Sequence, residues 1–169
     1  IENGSFTLKS RPFILKTVSL DGEITNGENR NFITTKIEIS QFDAETESGS
    51  IKGNFTIKNL NKYYLTANLL SNWDLAEINH YFEDSPFFNL QGRLRANTQY
   101  SGYISFDSKL KDYFINAQHS SNATFKNTTF KYKNFPLAFN LQTADCKFKN
   151  NVIEVENSAF TIADSDLKF

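Results

Sequence analysis

The chain has 169 residues, of which 39% are hydrophobic, and it carries 18 Lys plus Arg against 19 Asp plus Glu. This length suits one ordinary domain with a core, and the 17 Phe and 7 Tyr exclude a disordered polypeptide. The net charge of -1 gives no long-range attraction to nucleic acid or to an anionic membrane surface. The longest apolar runs, of three or four residues, exclude a membrane-spanning helix.

Alternation of apolar and polar residues is the main signal along the chain, and it predicts half-buried β-strands. We interpret residues 1–19 as an edge strand or a continuation from a longer parent chain. In the segment 51–58, the residues Ile51, Phe55 and Ile57 share one face and the other face is polar. Similar runs follow, with apolar positions at Leu65, Leu69, Leu90, Leu94, Ile104, Phe106, Leu110, Leu137, Phe139, Leu141 and Cys146.

One segment has helical periodicity instead. Leu75, Ile78 and Phe82 recur at helical spacing, and Ser71 or Asn72 can cap the first turn, so we predict one short α-helix near residues 72–82.

Turn signals separate the predicted strands, and most of the links are short, which favours antiparallel neighbours in a meander. These signals are Asp21-Gly22, Asn26-Gly27, Ser48-Gly49, residues 59–62 and Asn150-Asn151. The apolar phase slips near Asn127, which predicts a β-bulge there.

The predicted fold is mainly β, with residues 1–169 forming a single curled antiparallel sheet. About ten strands, spaced ~4.8 Å and ~16 Å long, give an apolar face of roughly 800 Å². A helix ~15 Å long covers on the order of 150 Å² of it. The sheet must therefore close as a sandwich or barrel, or remain a groove covered by a ligand, a lipid or a neighbouring part of the parent chain.

The sequence gives little support for catalysis. His80 and His119 are far apart, and the serines that follow His119 lack the context of a nucleophile elbow. Cys146 alternates with polar residues and is typical of a small core residue. We predict a protein that is not an enzyme, with no catalytic residue and no cofactor.

The remaining polar clusters favour ordinary surface roles. The acidic run 43–47 lacks the dense oxygen cluster of a calcium site, so we predict no metal site. Arg93 and Arg95 are too few for a nucleic-acid patch. An outer sugar-binding surface stays open as an alternative because of the tyrosines Tyr63, Tyr64, Tyr100 and Tyr103.

The order of the motifs resembles the AsmA-like group of bacterial envelope proteins, which includes the TamB-related proteins. A strand GSIKGNFTIKNL (49–60) is followed by a helix NWDLAEI (72–78) and a strand FNLQGRLRA (88–96). FPL (135–137), CKF (146–148) and FTIADSDL (160–167) resemble the C-terminal pattern of the family. Ala163-Asp164 stands where a Gly is often found, which is a departure from that pattern.

The resemblance implies a β-groove module in the periplasm of a Gram-negative bacterium, held at the inner membrane by an anchor outside this chain. It implies that the groove shelters or conducts phospholipid acyl chains between the two membranes and so contributes to outer-membrane biogenesis, with or without other envelope proteins. The alternative is a non-catalytic β-sandwich for adhesion, scaffolding or sugar binding. The expected lipid-contacting residues are Ile51, Phe55, Ile57, Leu65, Leu69, Leu94, Ile104, Phe106, Leu137, Phe139 and Leu141.

Overall fold

The computed structural model describes residues 1–8, 13–79, 86–105, 117–135, 137–150, 152–162 and 165–168. Within these residues, ten strands form one antiparallel sheet in which each strand pairs with the next along the chain. The strands are β1 (Gly4–Leu8), β2 (Phe13–Thr25), β3 (Lys36–Glu45), β4 (Ser50–Lys58), β5 (Tyr64–Asp74), β6 (Phe87–Tyr103), β7 (Gln118–Tyr132), β8 (Ala138–Lys149), β9 (Val152–Ile162) and β10 (Ser165–Lys168). One helix, α1 (Leu75–Asn79), follows β5.

The sheet is curled but not closed. Among the described strands, β1 and β10 each pair with one neighbour only, and all pairings are antiparallel. The curled antiparallel sheet that the alternation predicts is therefore confirmed, and of the two outcomes left open by the sequence the sheet takes the open one.

The helix starts later than its spacing predicts. Residues 72–74 still belong to β5, where Trp73 pairs with Leu94 and Asp74 pairs with Arg93. Strand pairing therefore satisfies the backbone of the residues that we expected to cap the helix. Asp74 takes the capping role instead, since its Oδ1 accepts a hydrogen bond from the Ala76 N–H at 2.9 Å. Residues 80–82 of the predicted helix lie outside the described residues.

Register shifts interrupt the pairing of β2 with β3. The pair Asp21-Gly22, which reads as a turn in the sequence, lies inside β2, and the register with β3 shifts between these two residues. A Cβ atom at Gly22 would meet the carbonyl oxygen of Glu38 on the neighbouring strand. The glycine is thus required by the close approach of two strands at a bulge, and the turn prediction at this position is wrong.

A second group of β-bulges and positive-φ residues lies across β6, β7 and β9. Gly92 has a φ of 117°, and Asn127 and Asn157 have φ values of 48° and 47°. The β6–β7 register shifts on both sides of Gln91, beside Asn127, and this confirms the bulge predicted there. Asparagine and glycine are the residues that adopt positive φ most readily, and bulges increase the local bend of a sheet.

The fully buried side chains of the sheet are small. Ala44, Ala67, Ala123 and Ala144 are at most 5% exposed, and among the described residues no large side chain is completely buried. The chain has 11664 Å² of accessible surface. A compact monomer of 19.4 kDa would have about 8,500 Å². An apolar face that a single sheet leaves uncovered contributes to this extra surface.

Candidate functional site: the apolar face of the sheet

The register shows which side chains share a face at the centre of the sheet. Cross-strand partners in an antiparallel pair lie on the same face. Ile57 pairs with Leu65, Phe55 pairs with Ala67, and Trp73 pairs with Leu94. The predicted lipid-contacting residues that share this side, called here the apolar face, are Ile51, Phe55, Ile57, Leu65, Leu69 and Leu94.

Phe139 and Leu141 reach the apolar face beyond the second group of β-bulges. Leu141 packs against the buried cluster of Ala123, Ala144 and Cys146, which Leu94 also contacts. Phe139 pairs with Phe130, and the two rings stack with their centroids 5.0 Å apart. The bulges therefore shift the alternation on both strands so that the apolar face stays continuous.

The other predicted lipid-contacting residues lie at the ends of strands or outside the described residues. Ile104 is half-buried directly after β6, and its N–H donates a hydrogen bond to the Tyr63 carbonyl oxygen at 2.9 Å. Leu137 directly precedes β8 and is 42% exposed. Phe106 lies outside the described residues.

Several residues of the apolar face were missing from the predicted set. Leu20 pairs with Phe42 at one side of the sheet, and Cys146 pairs with Val155 at the other. The alternation of Ile153 and Val155 with Glu154 and Glu156 is a signal that could have found the β9 residues. In β2 the signal is interrupted, because the glycine at the bulge resembles a turn.

The large side chains of the apolar face remain partly accessible. Phe55, Leu69 and Leu94 are half-buried, and Ile153 is 63% exposed. The buried alanines lie between them on the same face, so that large, partly exposed side chains surround positions with small, buried side chains. This arrangement suits non-covalent binding of an apolar chain, since each CH₂ group removed from water contributes about 0.8 kcal/mol.

The helix α1 is fastened at one end of the sheet by a single carboxylate. Glu77 Oε2 accepts hydrogen bonds from Thr46 Oγ1 at 2.9 Å and from the Ser48 N–H at 3.0 Å, and Oε1 accepts one from the Glu47 N–H at 3.2 Å. Leu75 is 3% exposed beside this contact. The carboxylate therefore ties the helix to the turn between β3 and β4.

The described residues assemble no metal site. No group of three or more potential ligands among them could hold a metal ion. The His119 N–H donates to Asn150 Oδ1 at 3.3 Å, and the thiol of Cys146 is buried, which raises its pKa and disfavours the reactive thiolate. His80 lies outside the described residues.

The opposite face of the sheet is polar. Lys52 pairs with Asp43 at 2.6 Å and Lys147 with Glu156 at 2.7 Å, both between neighbouring strands. The hydroxyl of Thr124 and then the amide of Asn157 donate hydrogen bonds that hold the pKa of Asp145 below its usual range.

An open cavity of about 430 Å³ lies near the ends of β5 to β8 that are away from α1. Its lining is mostly amides and hydroxyls and includes Asn68, Gln99, Ser101 and Ser120. Tyr64 and Tyr103 adjoin Ser101, with ring centroids 5.0 Å apart and the Tyr64 hydroxyl 2.9 Å from Ser101 Oγ. Such groups suit a ligand that is rich in hydroxyls.

Comparisons with protein-family models, with curated proteins and with solved structures find no match for this chain. No helix in the described part of the chain is long and apolar enough to cross a bilayer.

Proposed function

We propose that this chain is a periplasmic β-groove segment that shelters or conducts phospholipid acyl chains. The observation that carries the proposal is the apolar face, on which large side chains from neighbouring strands remain half-accessible along the whole sheet. The motif resemblance to AsmA-like proteins supports the choice of lipid, the position between inner and outer membranes, and a contribution to outer-membrane biogenesis. An anchor at the inner membrane would lie in sequence outside this chain.

The energetics of an open apolar face favour passage over tight capture. Each CH₂ of an acyl chain gains about 0.8 kcal/mol when it leaves water, whichever apolar position it contacts. A row of similar sites therefore lowers the free energy of the chain everywhere without creating one deep minimum. A headgroup can stay in water because the sheet is open.

The proposal is tested by photocrosslinking at matched positions on the two faces. Phe55 and Leu69 lie on the apolar face, while Thr56 and Asn68 occupy the next positions in the same strands and face the opposite side. A photoreactive residue introduced at Phe55 or Leu69 should capture phospholipid from cells, and one at Thr56 or Asn68 should capture little. Mass spectrometry of the adducts identifies the lipid.

A charged residue on the apolar face gives the second arm of this test. Phe55→Lys should strongly reduce the phospholipid that copurifies with the protein, because a lysine ammonium cannot lie against hydrocarbon without losing hydration. Asn54→Lys, on the polar face, is the matched control and should retain the lipid. Equal crosslinking on both faces, or no lipid in the unsubstituted protein, would contradict the proposal.

A second candidate function is a surface that binds a hydroxyl-rich ligand such as a glycan. The polar cavity with Asn68, Gln99 and the Tyr64–Tyr103 pair favours it. Titration with oligosaccharides, followed by the chemical shifts of the Asn and Gln side-chain amides, separates the candidates, because lipid contact on the apolar face should leave Asn68 and Gln99 unchanged.

A further inference from the structure

One end of the sheet exposes a group of large apolar side chains, called here the aromatic tip. It is formed by the start of β6, the end of β7 and the turn that leads into β8. Its members and their exposed fractions are Phe87 38%, Phe88 49%, Tyr132 48%, Phe135 39% and Leu137 42%. Phe87 contacts Tyr132 with ring centroids 5.8 Å apart, so part of the group is held together by ring packing.

Two exposed lysines belong to the aromatic tip. Lys131 and Lys133 flank Tyr132 and are exposed. The segments 86–95 and 124–144 contain lysines and arginines but no Asp or Glu. The end of β5 and α1 lie at the same end of the sheet and contribute Asp74, which pairs with Arg93, and Glu77, which is hydrogen-bonded to the turn between β3 and β4. The nearest acidic residues in sequence are Asp84 and Glu83, before the first segment and outside the described residues, and Asp145, after the second. The positive charge of the tip itself is therefore that of Lys131 and Lys133, which take part in no ion pair among the described residues.

Contacts between aromatic rings connect the aromatic tip to the apolar face. Phe135 lies against Phe139 at 5.2 Å between centroids, and Phe139 stacks on Phe130 at 5.0 Å. Phe130 in turn contacts Phe87 at 5.3 Å. An apolar surface thus runs without a polar break from the turn after β7 onto the sheet.

We infer that the aromatic tip docks on the surface of an anionic phospholipid bilayer. Aromatic rings favour the boundary between headgroups and acyl chains, and lysines beside them keep their ammonium groups at the level of the phosphates. Basic residues near an anionic leaflet add electrostatic attraction to the burial of apolar surface. The inference goes beyond the proposed function, because docking of the tip does not require the apolar face to hold lipid.

The test is co-sedimentation of the full chain with vesicles of phosphatidylcholine alone or of equimolar phosphatidylcholine and phosphatidylglycerol. The chain should bind the anionic vesicles more tightly, and added salt should weaken the binding. Lys131→Gln with Lys133→Gln should reduce the affinity about thirtyfold, since each lysine near an anionic surface is worth roughly fivefold. Phe88→Ser with Phe135→Ser should also release the protein from these vesicles.

Matched controls lie away from the aromatic tip. Lys58→Gln with Lys62→Gln removes the same charge near the β4–β5 turn, and Leu70→Ser removes a side chain that is 57% exposed on the polar face of β5. Both should bind anionic vesicles as the unsubstituted chain does, and circular dichroism should show every variant folded. Equal affinity for both vesicle types, an equal loss in the lysine controls, or no vesicle binding at all would overturn the inference.

These outcomes are independent of the lipid-capture experiment. Copurifying phospholipid is measured on protein that has met no vesicle, and vesicle binding is measured through the tip. A protein that captures lipid but ignores vesicles overturns the docking inference alone. One that binds vesicles without capturing acyl chains contradicts the proposed function alone.

Discussion

The carboxylate of Glu77 accepts four hydrogen bonds from the turn between β3 and β4. Its two oxygens accept bonds from the backbone of Glu47 and Ser48 and from the hydroxyls of Thr46 and Ser48, the last at 2.6 Å. Thr46 is 4% exposed, so its hydroxyl depends on this contact. The residue thereby converts an isolated five-residue helix, too short to be stable alone, into a fixed part of the sheet end.

Replacing this carboxylate should loosen the helix. We expect Glu77→Ala to lower the free energy of unfolding by about 1–3 kcal/mol, because it leaves a buried hydroxyl and turn N–H groups without their acceptor. Urea denaturation measures the change. Glu47→Gln alters a side chain in the same turn that is 81% exposed and should have little effect. Equal destabilisation by the two substitutions would show that Glu77 does not fasten the helix.

At the scale of the elements, the sequence predicts strands well where the alternation is uninterrupted. The run from Ile51 to Ile57 lies in β4 as expected, and Asn127 marks a bulge in β7. Prediction fails where an irregular residue has two physical explanations. Asp21-Gly22 suits a turn or a bulge, and the choice depends on β3 approaching Gly22, which the local sequence does not contain.

Residues of the candidate site were likewise predictable only where the alternation along their strand is uninterrupted. Leu65 and Leu69 were predictable because β5 alternates without a bulge, and the pairing of every strand with its neighbour then fixes the common face. Ile153 and Val155 continue that face, but they are exposed and lie near the open side of the sheet. Their place depends on strand order, which periodicity alone cannot determine.

The close approach of β7 to Gly92 gives a prediction about the stability of the protein. A Cβ at this position would lie 2.7 Å from the Asn127 carbonyl oxygen and from Thr128 Cα, and the φ of 117° disfavours any L side chain. We expect Gly92→Ala to reduce the free energy of unfolding by about 1–3 kcal/mol. Chemical denaturation provides the measurement.

Gly4→Ala is the control for this substitution. A Cβ at Gly4 would find its nearest neighbour, Ile1 Cγ2, at 3.3 Å, and the φ of Gly4 is not in the positive region. Its effect should therefore be small, whereas Asn127→Gly should be tolerated because glycine adopts the φ of 48° without strain. If Gly92→Ala were as stable as Gly4→Ala, the bulge would not require a glycine at position 92.

The whole molecule has an accessible surface that a compact fold of its mass would not have. The total of 11664 Å² exceeds the compact value by about 3,000 Å², and the buried clusters consist of small residues with half-buried larger ones around them. A fold of this kind leaves large apolar side chains partly in contact with water. Anything that covers the apolar face should therefore stabilise the native state directly.

Binding of a ligand to the apolar face should therefore raise the melting temperature of the protein. A monomeric lysophospholipid added at about a hundred times its dissociation constant should raise the melting temperature by roughly 5–10 °C, because binding to the folded state alone contributes about 2.7 kcal/mol. Phe55→Lys should reduce the rise, while Asn54→Lys on the polar face should keep it. Differential scanning calorimetry on all three proteins measures the shifts against each protein's own lipid-free melting temperature, so any intrinsic destabilisation cancels. Equal shifts in the two variants would place the lipid elsewhere than on the apolar face.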